Sequence, residues 1–181
     1  MELVSDRLRL RPITPADADG PYLDWVNDPV VTRYLSSEAT WTADALRAYV
    51  SDMVAHDDTW FLAMELASGR HIGNIKLGPL DTPHRRAAIG ILVGERECWG
   101  QGYASEAIRV LTEWAFAELG LHKVTAGAWD TNRGSVGAFE KAGFHVEAVC
   151  REHFLGDDGW ADLVLLARFA VPDTDAAADA G

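Results

Sequence analysis

The strongest constraint on the fold is one stretch. The apolar run Ile91-Leu92-Val93 leads through Trp99 into Gly100-Gln101-Gly102, and a long amphipathic segment follows at once. Glycines between a strand and a helix let backbone N–H groups converge on a ligand with no Cβ in the way. The helix start adds unpaired N–H donors and the positive end of its dipole, so the segment predicts a pyrophosphate site over Trp99, Gly100, Gln101, Gly102, Tyr103 and Ala104. It is not a nucleotide P-loop, because no Lys-Ser/Thr follows. Nor is it a dinucleotide fingerprint, because the spacing is not G-x-G-x-x-G.

The rest of the chain alternates strands and helices. Leu8, Leu10 and Pro12 open a strand, and Thr14-Pro15 starts a helix that ends near Asn27-Asp28-Pro29. A second helical stretch covers Val30 to Leu35. A third, capped by Thr42, covers Ala43 to His56 with Leu46, Tyr49, Val50 and Met53 on one face. Strands are expected at Trp60–Leu66, His71–Leu80 and Arg86–Val93. The longest helix runs from Ala104 to a stop at Gly120, with Ala107, Ile108, Leu111 and Ala115 in its buried stripe. Then come strand Lys123–Trp129, helix Arg133–Ala142, strand His145–Phe154, a turn over residues 156–159 and a last strand, Trp160–Phe169. This order predicts an α/β fold with a mixed, mostly antiparallel twisted sheet of about seven strands. About four main helices cover both faces. Residues 1–171 form one domain, and the acidic stretch 172–181 reads as a flexible tail.

Composition excludes several classes. With 181 residues, 48 % of them hydrophobic, the chain can bury a sizeable core. A formal net charge of −12 repels phosphate backbones, so no nucleic-acid partner is expected. No apolar run approaches the ~18 residues of a membrane span, and the start of the chain has no apolar signal core. A soluble cytoplasmic protein follows, with no membrane partner. Cys98 and Cys150 stand at no metal-like spacing, so no metal is expected and both read as free thiols.

Four segments in order carry a resemblance. Trp99-Gly100-Gln101-Gly102-Tyr103-Ala104-Ser105-Glu106-Ala107 resembles the acetyl-CoA loop of the GNAT superfamily of N-acetyltransferases, usually R/Q-x-x-G-x-G/A. It is closest to the branch of the ribosomal-protein N-acetyltransferases and related amino-sugar acetyltransferases. Asn132-Arg133-Gly134-Ser135 with Ala142-Gly143-Phe144 is similar to the N-x-x-S…G-F helix of that branch. Leu8-Arg9-Leu10-Arg11-Pro12 and Trp25-Val26-Asn27-Asp28-Pro29 resemble its N-terminal part. The likeness covers about residues 5–170 and implies a GNAT fold whose sheet splays at the cofactor. It also implies acetyl-CoA as cosubstrate and transfer to a primary amine by direct attack on the thioester.

Roles implied by the resemblance follow residue by residue. The backbone of Ile91, Leu92 and Val93 pairs with the pantetheine arm, Asn132 holds the cofactor, and Ser135 serves the leaving thiolate. Two positions depart from the pattern. Trp99 stands where many relatives have Arg or Gln, so no side-chain charge meets the pyrophosphate there. Phe139 stands where many have a Tyr that protonates the thiolate.

The general base is open among Glu95 after the cofactor strand, Asp130 at the end of the next, His84 on the turn before, and a water chain. Asn74 and Lys76 share one strand face and resemble a stretch in enzymes acting on amino sugars of nucleotides. Trp25, Asn74, Lys76 and His84 are therefore the expected substrate contacts, with Trp41 and Trp60 as further cleft candidates. The acceptor expected is a small-molecule amine, an amino sugar or sugar nucleotide preferred. The alternatives are a protein N-terminus as acceptor and a non-catalytic CoA-binding domain. A homodimer is compatible with the sequence.

Overall fold

The computed structural model describes residues 1–35, 40–156 and 159–170. Eight strands form one sheet: β1 (Leu3–Val4), β2 (Leu8–Pro12), β3 (Trp60–Leu66), β4 (His71–Leu77), β5 (Arg86–Val93), β6 (Lys123–Trp129), β7 (His145–Gly156) and β8 (Gly159–Phe169). Their order is β1-β2-β3-β4-β5-β6-β8-β7. Every neighbouring pair is antiparallel except β5 and β6. The extra strand over the seven expected is the two-residue edge β1.

Five helices cover the sheet: α1 (Pro21–Asn27), α2 (Pro29–Thr32), α3 (Ala43–Val54), α4 (Tyr103–Glu118) and α5 (Arg133–Lys141). The single helix expected from Pro15 to Asn27 is divided into a 3-10 turn, Pro15–Asp19, and α1. Gly20 is extended between them, at φ −98° and ψ −157°. Proline lacks an N–H and pushes its predecessor out of the helical region, so Pro21 can only begin a new helix. Asp28 then caps α2 by accepting from the Val30 N–H at 2.8 Å. Strand β4 stops at Leu77 rather than Leu80, because Gly78, after its N–H has paired with the Ala88 carbonyl of β5, takes φ +136° and turns the chain away. Asp157 and Asp158 of the expected turn and the tail 172–181 lie outside the described residues.

Side chains alternate across the sheet and build two cores. On one face Leu62, Met64, Ile75 and Leu77 meet Ile108 and Leu111 of α4 and Phe139 of α5. On the other, Phe61 and Ala63 meet Tyr22 and Trp25 of α1, Val31 of α2 and Leu46 and Val50 of α3. Fully burying one such aliphatic side chain is worth about 1.5–3 kcal/mol, so each helix is fixed by its apolar stripe.

Between the 3-10 turn and β2, Arg11 holds Asp17 at 2.6 and 2.9 Å and Glu65 at 2.7 Å. Partial burial by itself raises the Asp17 pKa. The Arg11 guanidinium and the Thr14 N–H and hydroxyl outweigh it and hold the carboxyl at about 2, against 3.8 ordinarily. A depressed folded pKa gives stability that is present above the unfolded value and lost as pH falls through the folded one. The urea midpoint is therefore expected to drop between pH 4 and pH 2, and to drop less in Asp17→Asn. An equal drop in both would remove Asp17 from the acid response.

Candidate active site

The site begins where two strands part. β5 and β6 pair only at Arg86↔Lys123, Ala87↔Val124 and Ala88↔Thr125. Beyond Ala88 they diverge, and Ile89 to Val93 and Gly127 to Trp129 become opposite walls of a cavity of about 720 Å³. That volume lies within the ordinary range of small-molecule sites, about 300–1,000 Å³. The Gly78 N–H donates to the Ala88 carbonyl and the Gly94 N–H to the Ile72 carbonyl, so even-numbered positions of β5 bond to β4. By alternation, Ile89, Ile91 and Val93 turn their backbone groups to the opening. Of the three residues expected to offer backbone, Ile91 and Val93 face the opening, the Val93 carbonyl being taken by the Trp99 indole N–H. Leu92 spends its backbone on β4 and packs its side chain into the second core.

The loop at the mouth is held open by glycine geometry. Gly100 and Gly102 take φ +71° and +85°, the left-handed region that favours glycine. Gly102 is the N-cap of α4 and has no side chain to occupy the first N–H groups. Gly102, Tyr103, Ala104 and Ser105 all line the cavity. Gln101 does not; its side chain donates back to the Glu97 carbonyl.

Trp99 lines the cavity too, and its indole N–H donates to the Val93 carbonyl at 2.7 Å. The tryptophan in place of an Arg or Gln thus ties the loop to the end of β5.

Two residues that the sequence reading missed anchor this loop from outside. Glu106, in the first turn of α4, is buried. It accepts from the Ser5 hydroxyl at 2.7 Å, the Arg7 N–H at 2.9 Å and the Arg7 Nε at 2.7 Å. Arg7 also donates to the Gln101 carbonyl at 3.0 Å and lies 4.6 Å from the Tyr103 ring centroid. Burial raises the Glu106 pKa, but those donors and the Arg7 charge together hold it below the usual carboxylate range. Glu106 is readable as an acidic first-turn residue; its partner, 99 positions away, is not.

Across the opening, the Asn132 Oδ1 accepts from the Ser135 N–H at 3.1 Å and caps α5. Both residues line the cavity. Phe139, one turn further, is almost fully buried with its ring 5.1 Å from Phe144.

The residues expected to act on the acceptor lie elsewhere. Glu95 accepts from the Trp25 indole N–H at 3.1 Å and pairs with Arg70, in a separate recess between α1 and residues 94–97. Asp130 accepts from the Asp162 N–H at 3.0 Å and clamps β6 to β8. Neither lines the cavity. His84 sits beyond the start of β5, bonded to Asp81 at 2.8 Å. At about 3.3 Å per residue, even Arg86 is roughly 23 Å from Val93, so His84 cannot reach the mouth.

Asn74 and Lys76 do share a face, but α1–α3 cover it and neither lines the cavity. The Asn74 Oδ1 lies 2.9 Å from His71 Nε2, and its Nδ2 is buried without a hydrogen-bond partner. Trp25 is a core residue whose ring lies 4.9 Å from His71 and so close to Gly94 that a Cβ there would overlap it. Trp41 packs on Tyr49 and Trp60 on Trp114, both outside the cavity lining.

The α1–α3 side of the cavity is instead made by other residues. Gly90 and Leu92 of β5 and Gly127 and Trp129 of β6 point there, and Val31 and Tyr34 close it. The Tyr34 hydroxyl donates to the Thr131 carbonyl at 3.3 Å, across the opening.

These features fit what comparison with known proteins finds. The family described as acetyltransferase (GNAT) domain matches residues 7–145. The uncharacterized N-acetyltransferase YoaA of Bacillus subtilis is 31 % identical over 156 residues, covering 83 % of this chain and 86 % of its own. The spermidine N(1)-acetyltransferase of Escherichia coli is 24 % identical over 168 residues, covering 90 % and 86 %. The crystal structure of spermidine N-acetyltransferase from Vibrio cholerae in complex with CoA and spermine superimposes with a TM-score of 0.82 at 22 % identity, over 91 % of this chain and 96 % of that one. With its open, mostly antiparallel sheet parted at β5 and β6, this chain belongs to the GNAT acetyltransferase family and is an acyltransferase.

Proposed function

We propose that the cavity between β5 and β6 binds acetyl-CoA and passes its acetyl group to the primary amine of a small molecule. One observation carries the reading. The backbone edge at Ile91 and the Val93 N–H, the glycine loop and the start of α4 all face the same 720 Å³ space. The strand edge suits an extended amide-bearing arm, which would pair with it as an added strand. The helix start and its loop amides suit a pyrophosphate. Asn132 and Ser135 flank the arm from α5.

In the reaction the amine nitrogen bonds to the thioester carbonyl carbon, and the carbon–sulfur bond breaks with its electron pair leaving on sulfur. The nitrogen must lose one proton before attack and another after it. Among the described residues, no carboxylate and no histidine lines the cavity, so water carries those protons out. Apolar walls disfavour an ammonium relative to the neutral amine, which lowers the acceptor's own pKa and does part of a base's work.

Glu95→Gln and Asp130→Asn are accordingly each expected to change turnover less than about tenfold, below the usual general-base effect of 10²–10⁴. The acidic limb of the rate–pH profile should follow the pKa of the amine supplied. A loss beyond 10²-fold in one variant alone would make that residue the base. The function itself is tested by thiol release from acetyl-CoA with and without an added amine; release that ignores the amine would contradict it.

Three acceptor classes enter that assay. The amino-sugar acceptor rests on the likeness around Asn74 and Lys76, which stand off the cavity. A polyamine follows only from the names of two relatives, and a protein N-terminus from the likeness to the ribosomal-protein branch.

A further inference from the structure

Two glycines stand where strands ordinarily carry side chains. Gly90 in β5 and Gly127 in β6 face each other across the parted strands, on the α1–α3 side. A Cβ built on Gly90 meets nothing within 4 Å, and neither residue has a backbone in the left-handed region. Packing and conformation therefore do not require glycine at position 90, and strands disfavour it. A strand glycine of this kind fits a place where a ligand approaches the backbone closely.

The walls above this floor are apolar and rigid. The Trp129 ring is stacked on Phe154 at 4.4 Å and 3°. The Tyr34 ring meets Trp129 edge-on at 5.9 Å, and Leu92 closes a side. Charge points the same way. Among the described residues, the cavity lining holds no Asp or Glu, while Arg133 and Lys141 are cationic. A polyamine would bring further ammonium groups out of water with no carboxylate among those lining residues to meet them.

Resting on the transferase reading above, we infer that the acceptor is a primary monoamine on a flat, uncharged, aryl-like body. That body lies on Gly90 and Gly127 and packs against Trp129 and Tyr34, and its amine reaches through the gap between β5 and β6 to the thioester. Nitrogen gains the acetyl group, the thiol of CoA leaves, and the displaced proton passes to water.

The test is thiol release with 2-phenylethylamine, glucosamine and spermidine at saturating acetyl-CoA. The arylalkylamine is expected to show a kcat/KM at least tenfold above the other two. Gly90→Val should cut that value at least tenfold with acetyl-CoA affinity and melting temperature unchanged, because its side chain enters open space. Tyr34→Ala should raise KM for the arylalkylamine and leave acetyl-CoA affinity alone. Preference for spermidine or glucosamine, or an indifferent Gly90→Val, would overturn this inference and leave the transferase standing. No turnover with any of the three amines would overturn both.

Discussion

Replacing Gly102 with valine is expected to weaken acetyl-CoA binding well beyond tenfold, more than about 1.4 kcal/mol. Gly102 sits at φ +85° as the N-cap of α4. A β-branched residue there carries backbone strain of order 1–3 kcal/mol, and its side chain would stand beside the first N–H groups of the helix. The nearest atom to a new Cβ is Arg7 Nη2 at 3.5 Å, so no core is invaded and the variant can fold. Strain in the loop and loss of phosphate space then act in the same direction. Calorimetry on the folded variant checks this; unchanged affinity would move the pyrophosphate elsewhere.

Removing the Ser135 hydroxyl is expected to slow turnover 10- to 100-fold, about 1.4–2.7 kcal/mol of barrier, with little change in acetyl-CoA affinity. A thiolate with a pKa near 8.5 leaves tolerably by itself, so one hydrogen bond helps without being indispensable. Ser135 lines the cavity, and its backbone N–H, not its hydroxyl, meets the Asn132 cap. Ser135→Ala therefore keeps the cap and loses only the donor. Phe139, on the same face one turn later, is 2 % exposed and packed on Phe144. Phe139 also lines the cavity, but its ring is held against Phe144, so a hydroxyl added by Phe139→Tyr has to displace packed neighbours and should not rescue Ser135→Ala. Full activity in Ser135→Ala would leave Ser135 as a first-turn helix residue.

The sequence is most informative where the chemistry is contiguous. Strand, glycine loop and helix follow one another from Ile91 to Ala104, and all of them line the cavity except Gln101 and residues 94–97, which turn to the α1 recess. The sheet was legible for a similar reason, because alternation within a strand is a local property. Contacts made by distant parts of the chain were not. Arg7 with Glu106 and Tyr34 with Thr131 join residues 99 and 97 positions apart, and no periodicity reports such pairs.

His84 misled because nearness to β5 in sequence is not nearness to its far end. Asn74 and Lys76 were placed on the same face correctly, yet which layer covers that face depends on how α1–α3 fold back. The break at Gly20-Pro21 was readable from proline chemistry alone, and only the amphipathic run on either side hid it.

The central claim is that one opening between β5 and β6 holds the donor. Amide ¹H–¹⁵N spectra of the 181-residue chain, recorded during titration with CoA, test it most directly. The largest shifts are expected at Ile91, Val93, Gly100, Gly102, Tyr103 and Ser135, with Asp24, Arg70 and Glu97 around the α1 recess unmoved. Shifts centred on that recess, or none at saturating CoA, would contradict the account.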